Sequence, residues 1–77
     1  MEYVIVEFGE PREVMVDGAS QGKNRADSGN YNLLPVTEGL HTIELGGSQD
    51  FMPISHTVVI GGTSQINPLR VVFQKKA

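Results

Sequence analysis

Short runs of alternating apolar and polar residues, separated by glycine and proline, extend along the whole chain. In residues 3–8, for example, Val4, Val6 and Phe8 share one parity, whereas Glu7 falls on the other. A period of two is typical of a β-strand with one face towards a core, because a helix would repeat about every 3.6 residues. The pattern therefore predicts strands, and no stretch has a helical period of useful length.

Six or seven short strands fit this pattern between the turn residues. Asp17-Gly18 tolerates the positive φ of a tight turn, and residues 37–39 are predicted to close a hairpin. Regularly spaced short strands favour two packed antiparallel sheets, so we expect a small all-β sandwich. The predicted strands cover residues 3–8, 13–16, 31–36, 41–45, 56–60 and 69–73, with a short further strand near residues 21–23.

Length and composition limit what such a fold can do. With 77 residues the chain has room for a single domain spanning residues 1–77, and a domain this small buries only about 60% of its unfolded surface. A large internal active-site cavity is therefore not expected. The net charge of −3 gives no broad positive field, so nucleic acid is a poor candidate partner. Cysteine is absent, which excludes disulfides and thiolate metal sites.

The amino terminus indicates no targeting signal. It lacks a basic region, and glutamates interrupt its apolar residues, which argues against a signal peptide. No stretch approaches the roughly 20 apolar residues that span a bilayer, so direct membrane insertion is not expected. If Met1 is the natural start, the expected location is the cytoplasm. If the chain is a fragment, its location is unknown, and an excised extracytoplasmic domain is the other option.

Several motifs occur in an order found in one known family. Val-Met-Val-Asp-Gly at residues 14–18 is followed by Gly22, by Gly-Leu-His-Thr-Ile-Glu-Leu at 39–45 and by Val-Val-Ile-Gly-Gly at 58–62. In this order the chain resembles the PEGA domain family over nearly its whole length. The resemblance implies a compact transthyretin-like sandwich that serves as an accessory module in bacterial or archaeal envelope and signalling proteins. It implies no catalytic residues and no specific ligand.

Residues 24–30 form the most polar segment and show no apolar periodicity, so they are predicted to form a solvent-facing loop. We expect a non-catalytic interaction module whose partner is a protein or a cell-envelope component. Contact would be made through this loop or through an open sheet edge, and such an edge could also pair two copies into a homodimer. The predicted contact residues are Lys23, Asn24, Arg25, Asp27, Asn30 and Tyr31.

Two other classes of function, carbohydrate binding and serine hydrolysis, are alternatives to the interaction module. A small carbohydrate-binding module would use Tyr3, Tyr31 or Phe51 as a stacking platform. A serine hydrolase would use Ser20, since Gly-Ala-Ser-Gln-Gly at residues 18–22 fits the nucleophile-elbow pattern. That elbow needs a strand before it and a helix after it, whereas a turn between two strands is predicted here. The turn interpretation is therefore preferred, and no catalytic residue is assigned.

Neither a metal site nor a cofactor is expected. The histidines and aspartates lack the spacing of a metal site, and no glycine-rich phosphate motif precedes a helix. His41 shares the parity of Ile43 and Leu45, so we expect it near the inner face with a hydrogen bond to backbone. His56 begins a strand and is expected to be exposed.

Overall fold

The computed structural model describes residues 1–76, which form strands joined by turns and loops. No helix occurs among these residues, so the predicted all-β class is confirmed. The strands, in chain order, are β1 (Glu2–Glu7), β2 (Glu13–Val16), β3 (Ala19–Lys23), β4 (Leu34–Val36), β5 (Gly39–Leu45), β6 (Phe51–Met52), β7 (His56–Ile60), β8 (Leu69–Val72) and β9 (Gln74–Lys75).

The strands form two larger sheets and one small ribbon. One sheet is antiparallel with the order β3-β2-β5-β7, another has the order β4-β1-β8, and β6 pairs with β9. Within the three-stranded sheet, β1 is antiparallel to β4 but parallel to β8. The prediction of purely antiparallel sheets is wrong for this pair. The chain reaches β8 from β7 of the other sheet, so no tight hairpin forces β8 to run against its neighbour.

Both larger sheets contribute side chains to one hydrophobic core. Val4 and Val6 of β1 are fully buried, as are Ile43 of β5 and Ile60 of β7. The parity read from the sequence therefore identifies the inward face of β1 correctly. The buried members of the core are Val4, Val6, Phe8, Val14, Val16, Leu34, Val36, Ile43, Leu45, Phe51, Ile60, Val71 and Phe73.

The turn between β2 and β3 has the predicted geometry. Asp17 has φ 52° and Gly18 has φ 84°, and a two-residue hairpin of type I′ needs positive φ at both positions. The register between β2 and β3 shifts between Glu13 and Met15, which is the mark of a bulge. Strand β3 is longer than predicted because it begins directly after this turn.

The predicted hairpin between residues 31–36 and 41–45 is wrong. Strand β4 pairs with β1, whereas β5 pairs with β2 and β7 in the other sheet. The connection at residues 37–38 therefore crosses between the sheets instead of turning within one. Alternation shows which side chains point inward, but two strands facing each other across a core alternate in the same way as two hydrogen-bonded neighbours.

Candidate functional site

The loop after β3 is anchored at its base by Asn24, whose side chain is fully buried. The Arg12 backbone N–H donates to Asn24 Oδ1 at 2.7 Å, and Asn24 Nδ2 donates to the Glu10 carbonyl at 3.4 Å. The Asn24 backbone N–H donates to the Arg12 carbonyl at 3.0 Å. Asn24 thus satisfies backbone groups of the segment before β2. It offers no side-chain surface to a partner, so its inclusion in the predicted contact set is wrong.

Arg25 and Tyr31 close the loop above this anchor. The two residues form an isolated antiparallel bridge, and the Arg25 guanidinium lies 5.0 Å from the centre of the Tyr31 ring. Arg25 Nη1 donates to the Phe8 carbonyl at 3.0 Å and Nη2 donates to the Gly29 carbonyl at 3.0 Å. The Tyr31 hydroxyl donates to the same Phe8 carbonyl at 3.2 Å. Both side chains therefore tie the loop to the end of β1.

The tip of the loop, residues 26–30, has its own hydrogen bonds. The Ala26 N–H donates to the Asn30 carbonyl at 2.8 Å, and the Gly29 N–H donates to the Ala26 carbonyl at 2.9 Å. Gly29 has φ 102°, and a Cβ there would lie 3.0 Å from Arg25 Nη2. Glycine is needed here because the backbone adopts a left-handed conformation against the guanidinium. The tip is thus a shaped surface loop with exposed Asp27 and Asn30.

The remaining predicted contact residues lie on one continuous segment. Lys23 ends β3 and is exposed, Arg25 is half-buried, and Tyr31 is 37% exposed. Serine, glycine, asparagine and tyrosine residues are enriched in antibody loops, where they combine adaptable hydrogen bonding with rigid contact area. Residues 28–31 have this composition. When the buried Asn24 is left out and the neighbouring exposed Ser28 is added, the predicted contact set becomes the candidate binding surface: Lys23, Arg25, Asp27, Ser28, Asn30 and Tyr31.

A charged cluster that the sequence did not predict lies beside Phe8. Arg12 Nη2 lies 2.6 Å from carboxylate oxygens of both Glu10 and Asp50, and Lys75 Nζ donates to Asp50 at 2.8 Å. Lys75 and then Arg12 hold the pKa of Asp50 at about 2. The two cations and two carboxylates neutralise each other. Glu10 and Arg12 are two residues apart, but Asp50 and Lys75 are distant from them in sequence, so no local motif could have indicated the whole cluster.

His41 lies in a surface pocket of about 360 Å³ together with Asp17 and Thr37. His41 Nδ1 is 2.6 Å from Asp17 Oδ2, and Nε2 is 2.8 Å from the Thr37 carbonyl. The Thr37 hydroxyl also lies 3.2 Å from Nε2 and can either donate or accept, so these contacts fit both the neutral ring and the imidazolium. The Asp17 carboxylate and the Thr37 carbonyl raise the pKa of His41. The expected hydrogen bond from His41 to backbone is confirmed.

Among the described residues 1–76, no histidine is hydrogen-bonded to Ser20. It lies in β3, where its hydroxyl donates to the Glu13 carboxylate. His56 is half-buried rather than exposed as predicted, because Nε2 donates to the Val72 carbonyl at 2.7 Å and the ring packs edge-on against Phe73. The strand-turn-helix geometry of a nucleophile elbow is not present around Ser20.

The three aromatic residues suggested as the stacking platform of a carbohydrate-binding module do not form one. Phe51 is only 4% exposed because it packs edge-on between Phe8 and Phe73 in the core, so its assignment to a platform is wrong. Tyr3 is half-buried, and its hydroxyl accepts from Gln65 at 3.3 Å. Tyr31 is left without an aromatic neighbour in the platform.

Within residues 1–76, no group of three or more histidine, aspartate or glutamate side chains is arranged to hold a metal ion. The same residues contain no helix that is long and apolar enough to cross a bilayer. Comparison of the chain with models of known protein families, with curated proteins and with solved structures finds no match in any of the three.

Proposed function

We propose that the chain is a non-catalytic protein-interaction or cell-envelope accessory module that contacts its partner through the candidate binding surface at residues 23–31. The order of its glycine motifs and its all-β fold support kinship with PEGA domains and their transthyretin-like sandwich. The hydrogen bond from Ser20 to Glu13, in place of one to a histidine, supports a role without catalysis.

One observation carries the proposal: the loop is rigidly held at its base while its tip faces solvent. Arg25 and Tyr31 fix the base through the Phe8 carbonyl, and the tip keeps its shape through two backbone hydrogen bonds. Binding by a loop that is already ordered avoids most of the conformational entropy that a disordered loop would lose. The exposed polar tip of this ordered loop therefore suits the recognition of a folded partner.

Site-specific photo-crosslinking in the cells that make the protein tests the proposal. A photoreactive side chain at Asp27 should yield a discrete crosslinked product, whereas the same group at Gln49, exposed in another loop, should not. Replacing residues 26–30 with five glycines and serines keeps Asn24, Arg25 and Tyr31 in place. This replacement should abolish binding of the captured partner while the circular dichroism spectrum stays that of a folded β protein. Binding that survives the replacement would show that the loop is not the contact surface.

A further inference from the structure

The four edge strands of the two larger sheets differ in how they are protected against pairing with another chain. Exposed edges are usually protected by proline, by charged side chains or by bulges. Strand β3 carries Lys23, Gly22 and the bulge against β2, and β4 contains Pro35. Strand β8 carries Arg70, which pairs with Glu7 at 3.1 Å. Each of these three edges therefore has at least one recognised obstacle.

Strand β7 has none of these obstacles. Its sequence, His-Thr-Val-Val-Ile, contains no proline, glycine, lysine or acid and is rich in β-branched residues. No hydrogen bond within residues 1–76 joins the β7 backbone to any strand except β5. Val59 is 77% exposed and lies opposite Leu40, which is 66% exposed. An uncovered ladder edge and an exposed apolar pair thus coincide on one strand.

We propose that β7 pairs with β7 of a second copy, antiparallel, about a two-fold axis at Val58. This surface is distinct from the loop of the proposed function. Self-pairing fits because a strand without acidic or lysine side chains places no such charges opposite each other. In this register Thr57 of one copy faces Val59 of the other, so β-branched side chains meet across the seam. The two four-stranded sheets become one continuous eight-stranded sheet.

Sedimentation equilibrium of the full chain over a range of concentrations tests the association. The wild-type chain should show a monomer–dimer equilibrium, and Val59→Lys should weaken it by roughly tenfold or more, because an edge lysine must be desolvated or displaced at the seam. Gln21→Lys places the same charge on exposed β3 at the other edge of the sheet and should leave the dimer unchanged. A chain that stays monomeric, or a dimer lost only with Gln21→Lys, would overturn the proposal.

Cysteine crosslinking tests the register, since the native chain contains no cysteine. Thr57→Cys and Val59→Cys are both exposed substitutions on the outer face of β7. Residues directly opposite across an antiparallel seam have Cα atoms about 4.5–5.5 Å apart, within reach of a disulfide. A mixture of the two variants should therefore form a mixed disulfide dimer faster than either variant alone forms its own. Equal rates, or faster crosslinking of either variant with itself, would overturn the register.

Discussion

The two edge strands of the four-stranded sheet, β3 and β7, differ in what protects them from pairing with another chain. Beyond β3 the chain folds into the loop of residues 23–31, where Asn24 and Arg25 satisfy backbone groups from neighbouring segments. Beyond β7 no side chain or backbone within residues 1–76 completes the ladder. Lys23 and a bulge protect the edge of β3, whereas β7 is apolar and has no such protection. The edge strand that leads into an ordered loop is thus the protected one, and the edge strand with a free apolar ladder is the unprotected one.

The largest effect is expected at Asn24, which anchors the base of the loop that follows β3. Asn24→Ala should lower the free energy of unfolding by about 3 kcal/mol, because it removes the fully buried amide and leaves the half-buried Arg12 N–H and Glu10 carbonyl without their side-chain partner. Urea denaturation measures this loss. Asn30→Ala makes the same change at an exposed loop position and should fall within about 0.5 kcal/mol of wild type. Equal losses in both variants would contradict the role given to Asn24.

A smaller effect is expected one residue later, at the clamp over the loop. Arg25→Ala should lower the free energy of unfolding by about 1–2 kcal/mol, since it removes two hydrogen bonds and the stacking on Tyr31. Hydrogen exchange at the Ala26 and Gly29 amides should accelerate more than exchange in β5. Arg25→Lys should behave like the alanine variant, because an ammonium cannot reproduce the guanidinium fork. Full protection of the loop amides in both variants would contradict the clamp.

The turn that starts β3 should also make stability depend on pH. Its Asp17 and the Thr37 carbonyl raise the pKa of His41 above the ordinary value of 6.5. The stabilisation is therefore fully present below pH 6.5 and is lost as the pH rises through the folded-state pKa. Urea midpoints should fall over that window for wild type, and His41→Gln should remove this contribution. An unchanged pH profile in the glutamine variant would show that His41 is not the group responsible.

The charged cluster of Glu10, Arg12, Asp50 and Lys75 should make stability depend on pH in the acidic range. The pKa of Asp50 is depressed to about 2 from 3.8, so its contribution is present above pH 3.8 and is lost as the pH falls towards 2. Asp50→Asn should make the urea midpoint less sensitive to pH across this window. The control is Asp27→Asn at the exposed loop tip, which should keep the wild-type profile. Coincident profiles for all three proteins would contradict the assignment.

The smallest effect is expected at the open edge itself. Val59→Lys should change the free energy of unfolding of the monomer by no more than about 0.5 kcal/mol, because Val59 is 77% exposed and outside the core. Urea denaturation at a concentration where the wild-type chain is monomeric measures this. A loss comparable to that of Asn24→Ala would remove the contrast between the two edges.

The sequence predicted what depends on local periodicity and failed where distant segments meet. The inward parity of Val4 and Val6 and the tight turn at Asp17-Gly18 are local properties, and both are found in the structure. The pairing of β4 with β1 is not local, and alternation alone cannot distinguish it from a hairpin. Strands of two residues, such as β6 and β9, are too short to show any period.

In the candidate site, too, local features were predictable and contacts between distant segments were not. Exposure of Asp27 and Asn30 follows from a polar segment between strands, as predicted. The burial of Asn24 does not, because it depends on unpaired backbone groups of residues 10–12 that only the folded chain brings near it. The burial of Phe51 could not be predicted either, since a single aromatic beside a loop gives no indication of which way it faces. The sequence therefore allowed it in a surface platform, and the structure places it in the core.

The placement of β3 and β7 on opposite edges has a consequence for valency. A pair joined at β7 holds its two loops at the far ends of eight strands, roughly 33 Å apart at the usual strand spacing. A ligand that repeats its epitope at that interval would engage both loops at once and gain avidity, whereas a ligand with a single epitope would not. The geometry of the sheet would then select repetitive surfaces over isolated molecules.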